Sequence, residues 1–238
     1  MDIGTYTAVA GMHTAELWQQ VLASNLANAS TPGYKADNVT SASFQLLLQS
    51  LLQPGSGAFT QGDKLDLSQG SLTQTGAPLD LALDGPGFFE LAGQNGTLYT
   101  RAGRFSRDAN GVIRSPDGLA VLGIDGNPIV ATGANVRVGE DGTVFSDGQV
   151  VGRIAVVTLD PATLTRAGTA TFSSTGAPTP TPASTRIVSG ALENANVDIT
   201  SVMTAMMELL RAFEASRQSL QMQNETLGTA INQVGLAR

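Results

Sequence analysis

The chain has 238 residues, 42% hydrophobic and 14% charged, a balance that excludes global disorder and allows one large domain or two modest ones. A formal charge of −7 opposes binding to nucleic acid, whose phosphates would repel it. There is no cysteine, so disulfides, thiolate nucleophiles and Cys-based zinc sites are excluded; the absence of thiols also suits a protein that crosses a membrane unfolded.

The N-terminus, Met1-Asp2-Ile3-Gly4-Thr5-Tyr6, has neither a basic region nor a continuous apolar run, so no cleaved secretory signal is expected. No stretch approaches the ~20 apolar residues of a membrane span, so no membrane insertion is expected. Residues 2–28 read as a helix. Ala8, Met12, Ala15, Leu22 and Leu26 form one stripe, and Tyr6, Ala10, Leu17 and Val21 form a second beside it, giving a broad apolar face. Pro32-Gly33 stops the helix, with Gly33 supplying a positive φ. Asn25 and Asn28, three apart, are placed to cap or bridge nearby backbone at the helix end.

Residues 36–76 read as an extended linker region of mixed character, with a short apolar run at 44–52 that fits helix or strand equally. From residue 77 the pattern changes. Leu79-Asp80-Leu81-Ala82-Leu83-Asp84 alternates with period two, and further strands are expected at 88–91, 98–100, 112–113, 119–122, 136–138, 143–145 and 186–188. The longest is expected from Val150 to Leu159. Asn95-Gly96, Asn110-Gly111, Asp117-Gly118, Asp125-Gly126, Asp141-Gly142 and Asp147-Gly148 punctuate these runs as hairpin turns do. The expectation is an antiparallel sheet or small barrel in a central domain, 77–190. Arg101, Arg104, Arg107 and Arg114 read as a solvated strand or turn surface, and Phe88 and Phe89 as anchors of the β core. Asp108-Ala109-Asn110-Gly111 opens like a calcium loop, but no Glu closes it, so turn chemistry is expected and no metal. Gly176 to Pro182 reads as a stiff, extended loop.

The clearest helical signal runs from Asp198 to Val234. Ile199, Met203, Met206, Leu210, Phe213, Arg217, Leu220, Asn224, Leu227, Ile231 and Val234 alternate steps of four and three, a heptad seam with two polar breaks. Asp198 or Thr200 can cap its first turn. Each large side chain buried along such a seam is worth roughly 1.5–3 kcal/mol, so the stripe demands a partner. The nearest is the N-terminal helix. The expected architecture is therefore α+β: N- and C-terminal helices (1–35 and 191–238) paired as a coiled-coil-like stalk, with a β-rich domain between them. Two core helices of an ordinary α+β domain are the plainer alternative.

Enzyme readings find little support. His13 is the only histidine and lies far in sequence from plausible Ser and Asp partners. Glu90 and Asp108 could form a glycosidase pair, but nothing sets their spacing. No Gly-rich phosphate loop with a Lys is present, and Trp18 reads as packing. No catalytic residue, cofactor or small-molecule substrate is expected. A carbohydrate-active secreted enzyme and a coiled-coil adhesin or filament protein are the competing classes.

Several motifs, taken in chain order, resemble one family. Ala23-Ser24-Asn25-Leu26-Ala27-Asn28-Ala29-Ser30-Thr31-Pro32-Gly33-Tyr34-Lys35 is similar to the N-terminal motif of bacterial flagellar rod and hook proteins. Leu83-Asp84-Gly85-Pro86-Gly87-Phe88-Phe89 and Tyr99-Thr100-Arg101-Ala102-Gly103-Arg104-Phe105 resemble their central segments. Gly190 to Val197 and Arg211-Ala212-Phe213-Glu214-Ala215 resemble the lead-in and core of their C-terminal helix. The Met1-Asp2 start, the stretch Ser24 to Gly33 and Arg186-Ile187-Val188-Ser189-Gly190 lean toward proximal-type, FlgF-like members; Gln223 to Leu227 with Ala230-Ile231-Asn232 look more like the distal, FlgG-like ones.

The resemblance implies a structural subunit of the basal-body rod. It implies export through the flagellar type III apparatus without a cleaved signal, and assembly in the periplasm with copies of itself and other rod or hook subunits. The implied assembly residues are Met12, Leu22, Asn25, Leu26, Asn28, Thr31 and Gly33 at one end, and Ile199, Met203, Met206, Leu210, Phe213, Leu220, Asn224, Leu227 and Ile231 at the other.

Overall fold

A computed structural model describes residues 3–38, 64–94, 96–182 and 184–235. Among the described residues two α-helices, α1 (Ile3–Ala27) and α2 (Ile199–Gly235), precede and follow a middle made mostly of strands. The chain divides into two compact units: one holds α1 and α2, the other Asn28–Ala36 with Leu65–Val197. No helix among the described residues is long and apolar enough to cross a membrane.

In the β-rich unit every pairing is antiparallel. The largest sheet places the strand Phe88–Gly93 at its centre, flanked by Gly96–Thr100 on one side and Ala120–Val121 and Val156–Thr158 on the other. Val136–Val138, Thr143–Ser146 and Gln149–Arg153 form a three-stranded sheet. Two smaller pairs join distant segments: Arg186–Ser189 with Leu81–Asp84, and Ala191–Glu193 with Leu72–Gln74.

Successive strand residues face opposite ways, which explains why both Phe88 and Phe89 are buried. Phe89 points into the main core, where its ring meets Phe105 edge-on at 5.3 Å, among Leu81, Leu83, Val121, Val138 and Val144. Phe88 points the other way and meets Phe172 at 5.8 Å in a second core with Tyr99, Leu159 and Leu164. The central strand is thus covered on both faces. At about 2–3 kcal/mol for each large apolar side chain buried, this double layer dominates the unit's stability.

The glycines of the expected turns at 110–111, 117–118, 125–126, 141–142 and 147–148 all have positive φ, and Asp147 itself sits at φ 50. Their aspartates hold the turns: Asp108 accepts from the backbone N–H of Asn110 and Val112, and Asp141 from that of Thr143. The long strand expected from Val150 to Leu159 is instead two strands in different sheets, Gln149–Arg153 and Val156–Thr158. Between them Ile154 is buried and bridges to Gly123, and Ala155 donates to Leu122 O, so the chain leaves one sheet and joins the next there.

Asp198 caps α2: its carboxylate accepts from Thr200 N at 3.0 Å and its carbonyl from Val202 N. The coiled-coil-like stalk needs correction. An α+β chain with a β-rich middle is present, and α1 and α2 touch, but the described residues show no coiled-coil seam. A heptad seam would bury its core positions, yet Ile199, Met203 and Leu210 remain 48%, 51% and 46% exposed. The partly buried side is Val202, Ala205, Met206, Leu209 and Phe213, displaced around the helix from the expected stripe. Val202 and Leu209 widen the apolar face, and a broad face does not dictate which of its edges packs.

Candidate functional site: a buried ion cluster where three motifs meet

After α1 the chain turns through Asn28–Thr31, where Thr31 N donates to Asn28 O and the Thr31 hydroxyl reaches Asn28 Oδ1 at 3.4 Å. Asn25 is buried and bridges backbone twelve residues on: Asp37 N donates to its Oδ1 at 3.0 Å and its Nδ2 to Asp37 O at 2.9 Å. Gly33 follows with φ +69 and presses on the backbone of Arg101 and Ala102. A Cβ there would lie 2.2 Å from Ala102 N, so only glycine fits. Gly33 N donates to Glu193 O at 2.7 Å.

That contact leads into a buried ion cluster. Lys35 and Glu193 are fully buried and Arg101 is 4% exposed. Lys35 Nζ donates to Glu193 Oε1 at 2.5 Å and to Ser68 O at 2.6 Å. Gly70 N donates to the same carboxylate oxygen at 3.1 Å. Arg101 Nη1 lies 3.3 Å from Glu193 Oε2, while Nη2 donates to Gly85 O at 2.9 Å. Two cations therefore share one carboxylate. Burial pulls Lys35 below its ordinary value, against the pull of Glu193; burial also lowers Arg101, again opposed by Glu193.

Around the cluster, neutral and aromatic groups finish the junction. Ala36 N donates to Asn196 Oδ1 at 2.8 Å, and Asn196 Nδ2 donates to Asp66 O at 2.8 Å. The Arg166 guanidinium stands 4.7 Å over the Tyr34 ring and donates to Lys35 O at 2.6 Å. The segments 33–36, 66–70, 101 and 193–196 are thus tied together although they are far apart in sequence.

Arg101 is the correction to the solvated Arg surface; Arg104 and Arg107 are exposed as expected. Lys35, Arg101 and Glu193 each stand inside a motif quoted above, yet the sequence reading did not assign them to the site. A charged residue inside a motif is the one local signal for them, and it does not separate the buried Arg101 from the exposed Arg104 of the same motif.

The expected assembly residues divide. Asn25 and Gly33 are buried as described, Asn28 and Thr31 form the turn, and Leu22 and Leu26 are partly buried. Met206 and Phe213 are partly buried on α2, while Ile199, Met203 and Leu210 are exposed. The side chains of Met12, His13, Leu220, Asn224, Leu227 and Ile231 lie outside the described residues.

For catalysis the geometry offers little. Asp108 commits its carboxylate to Asn110 N, Val112 N and Arg114 Nε, the last at 2.6 Å, and these bonds hold it below its ordinary value. Glu90 lies on the central strand, three strands away in sheet order from Ser106–Arg107, about 14 Å at the usual strand spacing. Burial raises Glu90, but it does not meet Asp108 as a pair. The open hollow beside the hairpin, lined by Gln94, Thr97, Leu98, Tyr99, Leu119, Ser173 and Ser174, has no charged side chain in its wall. Among the described residues no group of three or more His, Cys, Asp or Glu could hold a metal.

A self-contained β unit locked by buried ions, with long helices of which one keeps an apolar stripe in water, is the build of a structural subunit. Comparison with known proteins agrees. Three family profiles match in chain order: "Flagella basal body rod protein" over residues 6–35, "Flagellar hook protein FlgE/F/G D1 domain" over 82–146, and "Flagellar basal body rod FlgEFG protein C-terminal" over 188–233. The chain is 32% identical to the flagellar basal-body rod protein FlgF of Mesorhizobium japonicum and 30% identical to that of Caulobacter vibrioides, with 99% of each chain covered in both comparisons. It is 30% identical to the rod protein FlgG of Bacillus subtilis, over 95% of this chain and 97% of that one. The chain belongs to the flagellar basal-body rod protein family and is a structural subunit of the rod. The buried Lys35, Arg101 and Glu193 lie one in each of the three profile matches.

Proposed function

We propose that the chain is a proximal-type, FlgF-type rod subunit that assembles with copies of itself and with other rod or hook subunits through α1 and α2. The observation that carries this is the stripe Ile199, Met203, Met207 and Leu210 on α2, each side chain close to half exposed. A contiguous apolar stripe in water favours burial against another protein surface. The residues 22–33 and the α2 positions named above form the assembly ends, and the β unit needs no partner to complete its core. The FlgF-type reading is supported by near full-length similarity to two FlgF proteins. Export without a cleaved signal, a periplasmic position and the absence of catalysis complete the proposal.

The test is incorporation into basal bodies. Leu210→Asp or Phe213→Asp is expected to abolish rod assembly while the β unit folds normally; rods assembled from such variants would refute the role of α2. The chain has no cysteine, so Met203→Cys gives a clean cross-linking site, expected to trap subunit pairs in rods. Because a FlgG protein is also similar, complementation of strains lacking either subunit separates the two types. Rescue of only the distal-type strain would overturn the FlgF-type reading.

A further inference from the structure

The ion cluster is an odd choice for mere packing. Replacing a buried ion triad by apolar side chains is often neutral or stabilising, whereas removing one partner is costly because a buried charge is left uncompensated. Here the asymmetry is sharp: two cations, Lys35 and Arg101, make their close ion pairs with the one carboxylate of Glu193, while Asp66 acts on Lys35 more weakly. Arg101 Nε and Nη1 and Glu193 Oε2 are buried without hydrogen-bond partners among the described residues. The cluster is under-satisfied, and its balance rests on one segment being in place.

That segment lies outside both cores. Ala191–Glu193 forms its strand pairing with Leu72–Gln74, a strand whose side chains are exposed. Ala191 and Leu192 are buried but belong to neither core cluster, and the side-chain hydrogen bonds of the segment converge on the same junction. Asn194 Nδ2 donates to Ser71 Oγ and Thr73 Oγ1, Asn196 bridges Ala36 N and Asp66 O, and Glu193 receives Gly33 N, Gly70 N and Lys35 Nζ. By contrast, Arg186–Ser189, just before it, is zipped to Leu81–Asp84 with Ile187 in the main core. The boundary between the core strand and the segment outside the cores is Gly190, whose φ is +76.

We propose that residues 191–196 are a charge-gated clasp. The β unit can form its cores with this segment detached, and docking of Glu193 between Lys35 and Arg101 closes the segment onto the turn at 33–36. With the carboxylate absent, the two cations repel each other in a dry site and hold the clasp open. Lys35 and Glu193 are 158 residues apart, so closure reports that both ends of the middle region have arrived. The clasp is therefore a checkpoint on completion of the unit, because Asp66, the other acid acting on Lys35, acts on it more weakly than Glu193 does.

The absence of native cysteine allows a direct test on the full chain. Ala191→Cys, 1% exposed, reports opening of the clasp through its rate of alkylation; Val121→Cys, fully buried in the main core, reports opening of the core. Leu192→Cys on the same strand serves as a second clasp probe should Ala191→Cys disturb the pairing. Adding Glu193→Gln is expected to speed labelling at the clasp about 100-fold, the scale of an uncompensated buried charge, with labelling at residue 121 unchanged. Adding Lys35→Met instead leaves one cation with one carboxylate, and is expected to speed clasp labelling at least tenfold less than Glu193→Gln does. Equal acceleration at both sites would reduce the cluster to a contributor to global stability and overturn the clasp. No acceleration with Glu193→Gln, or the same acceleration with Lys35→Met, would overturn the charge gate.

Discussion

The β unit and α2 handle apolar surface in opposite ways. Around the strand Phe88–Gly93 both faces are covered, and the unit's largest buried side chains come from within it. On α2, Ile199, Met203, Met207 and Leu210 stay close to half exposed although nothing polar forces them outward. One region is covered within the single chain; the other keeps its apolar stripe about half exposed. Under the proposed assembly role of α2, stability and assembly rest on different residues, so each can be altered without the other.

The largest effect that would break this comparison lies in the main core. Phe89→Ala should cost about 3–5 kcal/mol in denaturant unfolding, because a fully buried ring leaves a cavity on the inner face of the central strand. The helical signal of α2 should change little at denaturant concentrations that unfold the strands. Gly33→Ala comes next. A Cβ at φ +69 against the Ala102 backbone is expected to lower the unit's stability by about 2 kcal/mol or more, seen as a fall in thermal midpoint.

Acid should act on the turns. Asp108, Asp125, Asp141 and Asp147 are held below their ordinary value of 3.8 chiefly by hydrogen bonds from their own turns. As pH falls, the unfolded chain takes up protons first, so the stability these carboxylates contribute is present above pH 3.8 and lost below it. A circular-dichroism titration should show strand signal failing in that range, and Asp108→Asn should remove that residue's share of the acid dependence. The smallest effect on stability belongs to α2: Leu210→Asp should leave monomer unfolding within about 0.5–1 kcal/mol of the parent, despite its expected loss of assembly. A large loss of monomer stability there would show that the stripe is already covered within the chain and would dissolve the contrast.

What could be read from sequence depended on distance along the chain. The Asp-Gly turns, the Asp198 cap and the burial of Phe88 and Phe89 rest on rules spanning a few residues, and all are present in the structure. The break at Ile154–Ala155 was not legible, because the run from Val150 to Leu159 carries apolar residues on both sides of it and only the neighbouring sheets decide where it divides. Nor was the face of α2 that turns inward, since Val202 and Leu209 blur the edges of the stripe.

The sequence by itself determined an α+β chain with helical ends, a turn-rich antiparallel middle and membership of the rod family, because periodicity and contiguous motifs are local properties. Only the tertiary structure decided that Lys35, Arg101 and Glu193 meet. Their charges are legible one by one, but nothing local couples residues 158 positions apart; the paired strands 72–74 and 191–193 and the close approach at Gly33 bring them together. It also decided against a coiled-coil stalk. A periodic stripe states that apolar surface must be buried, whereas its partner is set by packing that one helix's sequence does not contain.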